Sequence, residues 1–472
     1  MEQSLKRNSC IYMIRNVINI LFPLITFKYA SLKLGATGIG ATNVASAYVS
    51  YFSLISQLGI NAYAVAEGAK IRYDNDKLQR FSNEIFTINI ISTVIAYVLL
   101  ITALLISPVL EQYKNLMVIY SVSIILSTIG VEWIFVIYEK FSYITIRSII
   151  FQVVSLIFLF LFVKSEKDSG IYAFLSVLSS SGSGVLNFIY AHKIVAFRFA
   201  SIHDIRRHLK SIFTIWIANV ASLIYVNADT IIIGLLLGDT QVGIYSAVAK
   251  IVKAICIPIG TISTVAGPRL AESIAIGNRR SISEFSNRVL NFLFFLIFPC
   301  MIGLLTLGNE AILLVSGSDF LEGITALYIL VIDVLVSPMN GFLTNQILIP
   351  AHKEKTSMGA MVIAAVANIL LDFLLIPHIG INGAAIATVV AETTVLLFCF
   401  NQTIGIVDWK VACAGCVKYI LCSLIIIPIA QIINLFGFKW AFKTVLTVLC
   451  GGGSYLSALI ILKKINVGDK DE

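Results

Sequence analysis

Hydrophobic positions along this chain neither alternate nor form narrow helical stripes; they gather into unbroken runs of roughly 20 residues, the length that crosses a hydrocarbon core. The runs fall near 11–32, 41–63, 84–107, 115–137, 144–163, 171–191 and 211–235. They continue near 243–266, 289–308, 322–349, 357–377, 380–402, 413–434 and 441–462. The pattern therefore predicts an all-α polytopic membrane protein of about 14 transmembrane helices. Three longer polar segments, 64–83, 192–210 and 267–288, read as loops on one side of the membrane, and the loops on the other side are short.

Composition supports the same class. Of 472 residues, 58% are hydrophobic and only 13% charged, and the mean hydropathy is +0.92. A soluble chain carries about 25% charged residues, and no soluble core could hide this much apolar surface. Soluble enzymes, nucleic-acid binders, disordered scaffolds and disulfide frameworks are excluded for the chain as a whole. The net charge of +8 matters through its distribution. With the N-terminus inside, 22 of the 34 basic residues fall in cytoplasmic segments and five (Lys33, Lys114, Lys164, Lys167, Lys439) in outer loops. The positive-inside rule then predicts both termini in the cytoplasm. The short N-terminal stretch around Lys6 and Arg7 reads as the lead to an uncleaved first span. Cys413 and Cys416 form a lone CxxC without a second pair, and His203 and His208 read as solvated loop residues, so no metal site is expected.

The chain also resembles itself. Leu34-Gly35-Ala36-Thr37-Gly38-Ile39-Gly40 matches Leu237-Gly238-Asp239-Thr240-Gln241-Val242-Gly243 at an offset of 203 residues, and Asn16-Val17 matches Asn219-Val220 in the same register. Phe81-Ser82-Asn83 matches Phe285-Ser286-Asn287 one residue out of phase. These matches predict two parallel six-helix lobes, 1–191 and 211–402, joined by a cytoplasmic linker, 192–210. A two-helix extension with a cytoplasmic tail follows at 403–472. Duplicated lobes are the architecture of transporters that rock around a shared site.

At these residues the sequence resembles the polysaccharide, O-antigen-type repeat-unit flippases of the multidrug/oligosaccharidyl-lipid/polysaccharide exporter superfamily. Leu34 to Gly40, with Asn43, Ser46, Tyr51-Phe52 and Gly59-Ile60, is similar to the family's first helical hairpin. Glu132-Trp133-Ile134-Phe135 with Glu139 is similar to its fourth-helix signature, and Asn227-Ala228-Asp229-Thr230 through Gly243-Ile244-Tyr245-Ser246 to the start of its second lobe. Ala66-Glu67-Gly68-Ala69-Lys70 departs from the pattern, since many relatives carry an arginine before the lysine. The resemblance implies a bacterial cytoplasmic-membrane protein that is no enzyme. It would move undecaprenyl-diphosphate-linked oligosaccharides by alternating access for surface polysaccharide such as O-antigen or lipopolysaccharide. Its partners would be that lipid-linked oligosaccharide, membrane lipid and the pathway's polymerase and chain-length proteins. A monomer, no cofactor and no nucleic acid are expected.

Ionisable residues within spans are costly and point to function. Lys250 and Lys253 are one turn apart on one helix face, roughly 10 and 15 Å below its outer end. Lys28 and Asp229 lie roughly 6 and 9 Å from the outer ends of their spans. A diphosphate needs several cations in a partly desolvated cavity, where each attraction exceeds its value in water. Lys250, Lys253, Lys28 and Arg15 are therefore the candidate cargo-binding residues, with Asp229 as a tuning partner. Snorkelling to the interface is the plainer alternative for Lys28 and Arg15. Asp333 and Glu392 fall near the midplane and are candidates for ion coupling, or else protonated structural carboxyls. Arg147 and Glu132 read as a pair fastening adjacent helices. Without a G-x-x-x-x-G-K-[ST] loop, ATP drive is not expected. A multidrug or cation exporter of the same architecture remains the first alternative, and a membrane glycosyltransferase or polymerase using the same lipid carrier the second.

Overall fold

The computed structural model describes residues 2–264 and 266–468, with side chains from residue 21 to 462 apart from 218, 221, 222, 265 and 354. Every expected hydrophobic run falls on a helix, or on two helices joined by a short break. Among the described residues, nine helices are long and apolar enough to cross a membrane. A tenth arises if the pair Ser318–Leu330 and Asp333–Leu348, bent by 53°, forms one span. The three polar segments differ from the loop expectation, because helices Asn75–Ile106, Ile202–Leu237, Gly267–Ile276 and Arg279–Thr306 extend into them. Their starts are capped: Asp74, Ser201 and Asn278 each accept a backbone N–H of the first turn, so polar sequence continues the helix.

The chain divides into two compact units, Met1–Gly243 and Ile244–Glu472. In the first unit, helix Glu2–Gln57 kinks at Gly35, whose φ of 65° favours glycine. Three of its helices are joined by hydroxyls. Ser56, Thr93 and Thr128 lie 2.7–3.2 Å from one another, and Asn89 donates to the Ser56 carbonyl at 3.0 Å. Such polar contacts hold helices together where lipid offers no competing partner. Leu78, Phe81, Ile85, Trp133, Phe135 and Ile205 form a hydrophobic cluster, so the Trp133 and Phe135 of the fourth-helix signature are core residues. Arg147 does pair with Glu132, at 3.4 Å.

The expected linker is tightly held. Residues 196–200 run extended along helix Asn75–Ile106, where Gln79, Asn83 and Thr87, spaced four apart, hydrogen-bond the backbone of Ala196, Arg198 and Ala200. Later in the same segment, Arg207 donates to buried Glu84 at 2.7 Å and His208 Nε2 lies 2.6 Å from it, while His208 Nδ1 meets the Tyr63 hydroxyl at 2.7 Å. His208 is buried, which corrects its reading as a solvated loop residue. The burial comes from Tyr63 and Phe81 packing against its ring.

In the second unit, helices Glu354–Ile379 and Ile381–Thr403 pack closely, and a Cβ on Gly383 would lie 2.7 Å from the Leu375 backbone. The last helices are fastened to this unit. Lys443 bonds Glu310 at 2.6 Å, Tyr455 donates to the Phe295 carbonyl at 2.8 Å, and Gly415 admits the Asn291 side chain.

Candidate functional sites in the two units

The charged site of the second unit is built on three helices. Helix Asp239–Thr264 carries Lys250 and Lys253, interacting electrostatically with each other. Helix Asp333–Phe342 carries Asp333 and Asn340 and passes without a break into a π-helical turn, Leu343–Leu348. Helix Ile381–Thr403 carries Glu392. Asn340 donates to the Glu392 carboxylate at 2.6 Å and to its carbonyl at 2.9 Å. Asp333 lies within electrostatic reach of both Glu392 and Lys253. Its backbone carbonyl is approached at 3.7 Å by the Cys256 thiol, one turn beyond Lys253.

The structure thus brings Lys250, Lys253, Asp333 and Glu392 into one neighbourhood, although sequence reasoning gave the lysines and the carboxylates separate roles. It adds Asn340, which sequence reasoning missed. An asparagine two residues after Pro338 gives no signal by itself. Asp333 Oδ1 and Asn340 Oδ1 are buried acceptors without a hydrogen-bond partner among the described residues. Of the two, the Asp333 oxygen, within electrostatic reach of a second carboxylate, can carry a proton, whereas the Asn340 oxygen can only accept a hydrogen bond. Among the described residues, no group of three His, Cys, Asp or Glu could hold a metal ion.

The first unit carries the other expected residues. Lys28 is half-buried on helix Glu2–Gln57, before its kink, and Asp229 is buried on helix Ile202–Leu237. The side chain of Arg15 lies outside the described residues. Between helices Glu2–Gln57, Lys114–Gly130 and Ile202–Leu237 lies a cavity of about 420 Å³. Ser46, Ser50, Ser53 and Gln57 line it from one helix face, and Tyr120 and Asn219 from the two others. Among the described residues, no lining residue is charged.

The two matching segments, 34–40 and 237–243, touch each other in this unit. Thr37 and Thr240 hydroxyls, 203 positions apart, lie 2.8 Å from one another. A Cβ on Gly40 would stand 1.7 Å from the Asp239 carbonyl oxygen, and one on Gly243 2.0 Å from that of Ala36. Ala36 and Asp239 are themselves repeat equivalents, so the contact is reciprocal. Tyr113 donates to the Asp239 carboxylate beside it. Burial, and then that carboxylate, push the Tyr113 phenol up from its ordinary value.

Comparison with known proteins follows this geometry. The sequence profile of a family described as "Polysaccharide biosynthesis protein" matches residues 5–274. A relative named as an O-antigen transporter, from Escherichia coli (strain K12), is 24% identical over 398 residues, covering 83% of this chain and 95% of its own. Among solved structures, the lipid II flippase MurJ in its inward closed conformation superposes with a TM-score of 0.78 at 19% identity, covering 97% of this chain and 100% of its own. An inward-facing multidrug resistance MATE family transporter of the MOP superfamily gives 0.64 at 13% identity, over 82% and 94%. At these identities the structural likenesses show the fold, that of an all-α multi-pass membrane protein.

Proposed function

The chain belongs to the polysaccharide biosynthesis protein family, and on that premise we propose that it is a flippase for lipid-linked oligosaccharides. Its cargo is an undecaprenyl-diphosphate-linked repeat unit, carried across the bacterial cytoplasmic membrane by alternating access, with both termini in the cytoplasm. The relative named for O-antigen transport, aligned over most of both chains, supports the cargo class. The observation that carries the mechanism is the meeting of Lys250 and Lys253 with Asp333 and Glu392 in one unit.

Lys250 and Lys253 bind the diphosphate within the second unit; in the first unit Lys28 and Arg15 are candidates for an anionic contact of their own, with Asp229 as a tuning partner. Each cation attracts phosphate more strongly in a desolvated site than in water. Asp333 competes with the phosphate for Lys253. When Asp333 takes up a proton, Lys253 is released to the cargo; when Asp333 loses it, the carboxylate reclaims the lysine and weakens the grip. Binding of a proton and of the cargo are then linked through one side chain, which is the differential interaction a coupled transporter needs.

The test is transport of a defined lipid-linked oligosaccharide into vesicles holding the purified protein. Wild type is expected to move it, and Lys250→Gln/Lys253→Gln to lose the flux while still inserting in the membrane. Flux of a cationic dye in place of the glycolipid would establish the exporter alternative.

A further inference from the structure

We propose that the uncharged cavity of the first unit is a sugar-binding site, where the glycan of the cargo is recognised apart from its diphosphate. The inference rests on the flippase reading and names the part of the cargo that this cavity takes.

Positions 46, 50, 53 and 57 are spaced four, three and four apart, which places three serines and a glutamine on one face of a helix. Small polar residues on such a face ordinarily let a neighbouring helix pack closely. Here they line an open volume of about 420 Å³, within the ~300–1,000 Å³ of small-molecule sites. Some lining groups are used internally: Gln57 donates to Ser53 at 3.1 Å, and Asn227 to Ser50 at 3.2 Å. Others are not. Ser46, Asn61 and Asn219 line the cavity and make no side-chain hydrogen bond among the described residues. Their donors and acceptors are available to an occupant.

The lining chemistry selects that occupant. Hydroxyls and carboxamides each donate and accept, as sugar hydroxyls do, so a polyol can pair with them in either sense. Among the described lining residues a diphosphate would find no cation and would face carboxamide and hydroxyl oxygens. An apolar cation would find no carboxylate, and would leave the amides of Asn61 and Asn219 unpaired. Tyr120, buried at the cavity wall, offers an aromatic surface beside these polar groups, the mixed character that a pyranose ring presents in turn.

Asn219 is the residue to change, because it is exposed to the cavity and holds no other helix in place. Trp216, one turn before it, donates to the carbonyl of cavity-lining Leu54 at 3.1 Å. Its fluorescence, in a variant with the other three tryptophans replaced, reports occupancy. Two probes are titrated, with the affinity of each read by calorimetry and cavity occupancy by the fluorescence: undecaprenyl diphosphate carrying an oligosaccharide, and the same lipid diphosphate without sugar, which leaves the cavity empty. Asn219→Leu is expected to weaken the glycosylated lipid by about tenfold or more, the loss of one or two good hydrogen bonds, and to leave the bare diphosphate unchanged. Ser53→Leu, which fills the cavity from the opposite helix, should act in the same direction. Retained affinity for the bare lipid shows that each variant is folded. If either variant weakens both lipids equally, or weakens neither, the sugar site is overturned. If the wild-type protein moves no lipid-linked glycan in vesicles, the flippase reading itself fails, a different result from flux with unchanged selectivity.

Discussion

Replacing Gly40 with alanine adds one methyl group where the segments 34–40 and 237–243 meet. That methyl would stand 1.7 Å from the Asp239 carbonyl oxygen, half of the 3.4 Å at which ordinary contact begins. The obstacle is backbone, so no side-chain rotation relieves it; the turns around residues 34–40 and 237–243 must part. Overpacking of this kind costs about 1–3 kcal/mol. If transport alternates between states in which these turns are together and apart, that energy lowers the population of the closed contact by about 5- to 150-fold. Gly243→Ala should act alike, since its methyl would stand 2.0 Å from the Ala36 carbonyl oxygen. A pair of cysteines at 37 and 240 in a cysteine-free background reads the contact, because the native hydroxyls there are 2.8 Å apart. Oxidation in native membranes should link the pair rapidly in the parent and at least about fivefold more slowly with Gly40→Ala. Linking at the parental rate, with protein levels matched, would show that the turns absorb the methyl locally and that the reciprocal glycine contact sets no equilibrium.

The remaining expectations concern coupling, the held linker and orientation. Asp333→Asn and Glu392→Gln should change the pH dependence of transport more than the affinity for cargo; wild-type flux and pH profile in both would leave consumption of the product as the driving force. Glu84→Gln removes the carboxylate charge shared by Arg207 and His208 and turns one of its acceptor oxygens into a donor, and with Arg207 largely solvated the loss should be about 1–3 kcal/mol, measured as a lowered unfolding temperature in detergent. Cysteines at Ser165 should label from outside and those at Arg206 and Arg279 only after permeabilisation, and external labelling at 279 would reverse the orientation.

Much of the fold was legible because a membrane imposes one strong rule: backbone polar groups must be satisfied within a helix, so apolar length alone marks each element. Breaks inside elements were less legible. Val131 adopts a left-handed conformation, at a φ of 35°, and divides a run that reads as continuous, while a π-helical turn follows Phe342 with no compositional mark. The match of Gly40 with Gly243 was legible in the sequence, and the structure supplies a reason for both glycines: each admits the backbone of the other's turn. The charged residues of the second unit announced themselves by their cost in lipid, but their grouping depends on helix rotation and contact, which one sequence does not encode visibly. Asn340 and the serine-lined cavity were missed for a related reason. Neutral polar side chains carry only a small penalty in a helix core, and many only fasten one helix to another, as the hydrogen-bonded Ser56, Thr93 and Thr128 do. What separates Ser46 and Asn219 from them is open space in front of the side chain. That property arises only when three helices are assembled, and it makes the cavity, rather than the motif, the place to look for cargo recognition.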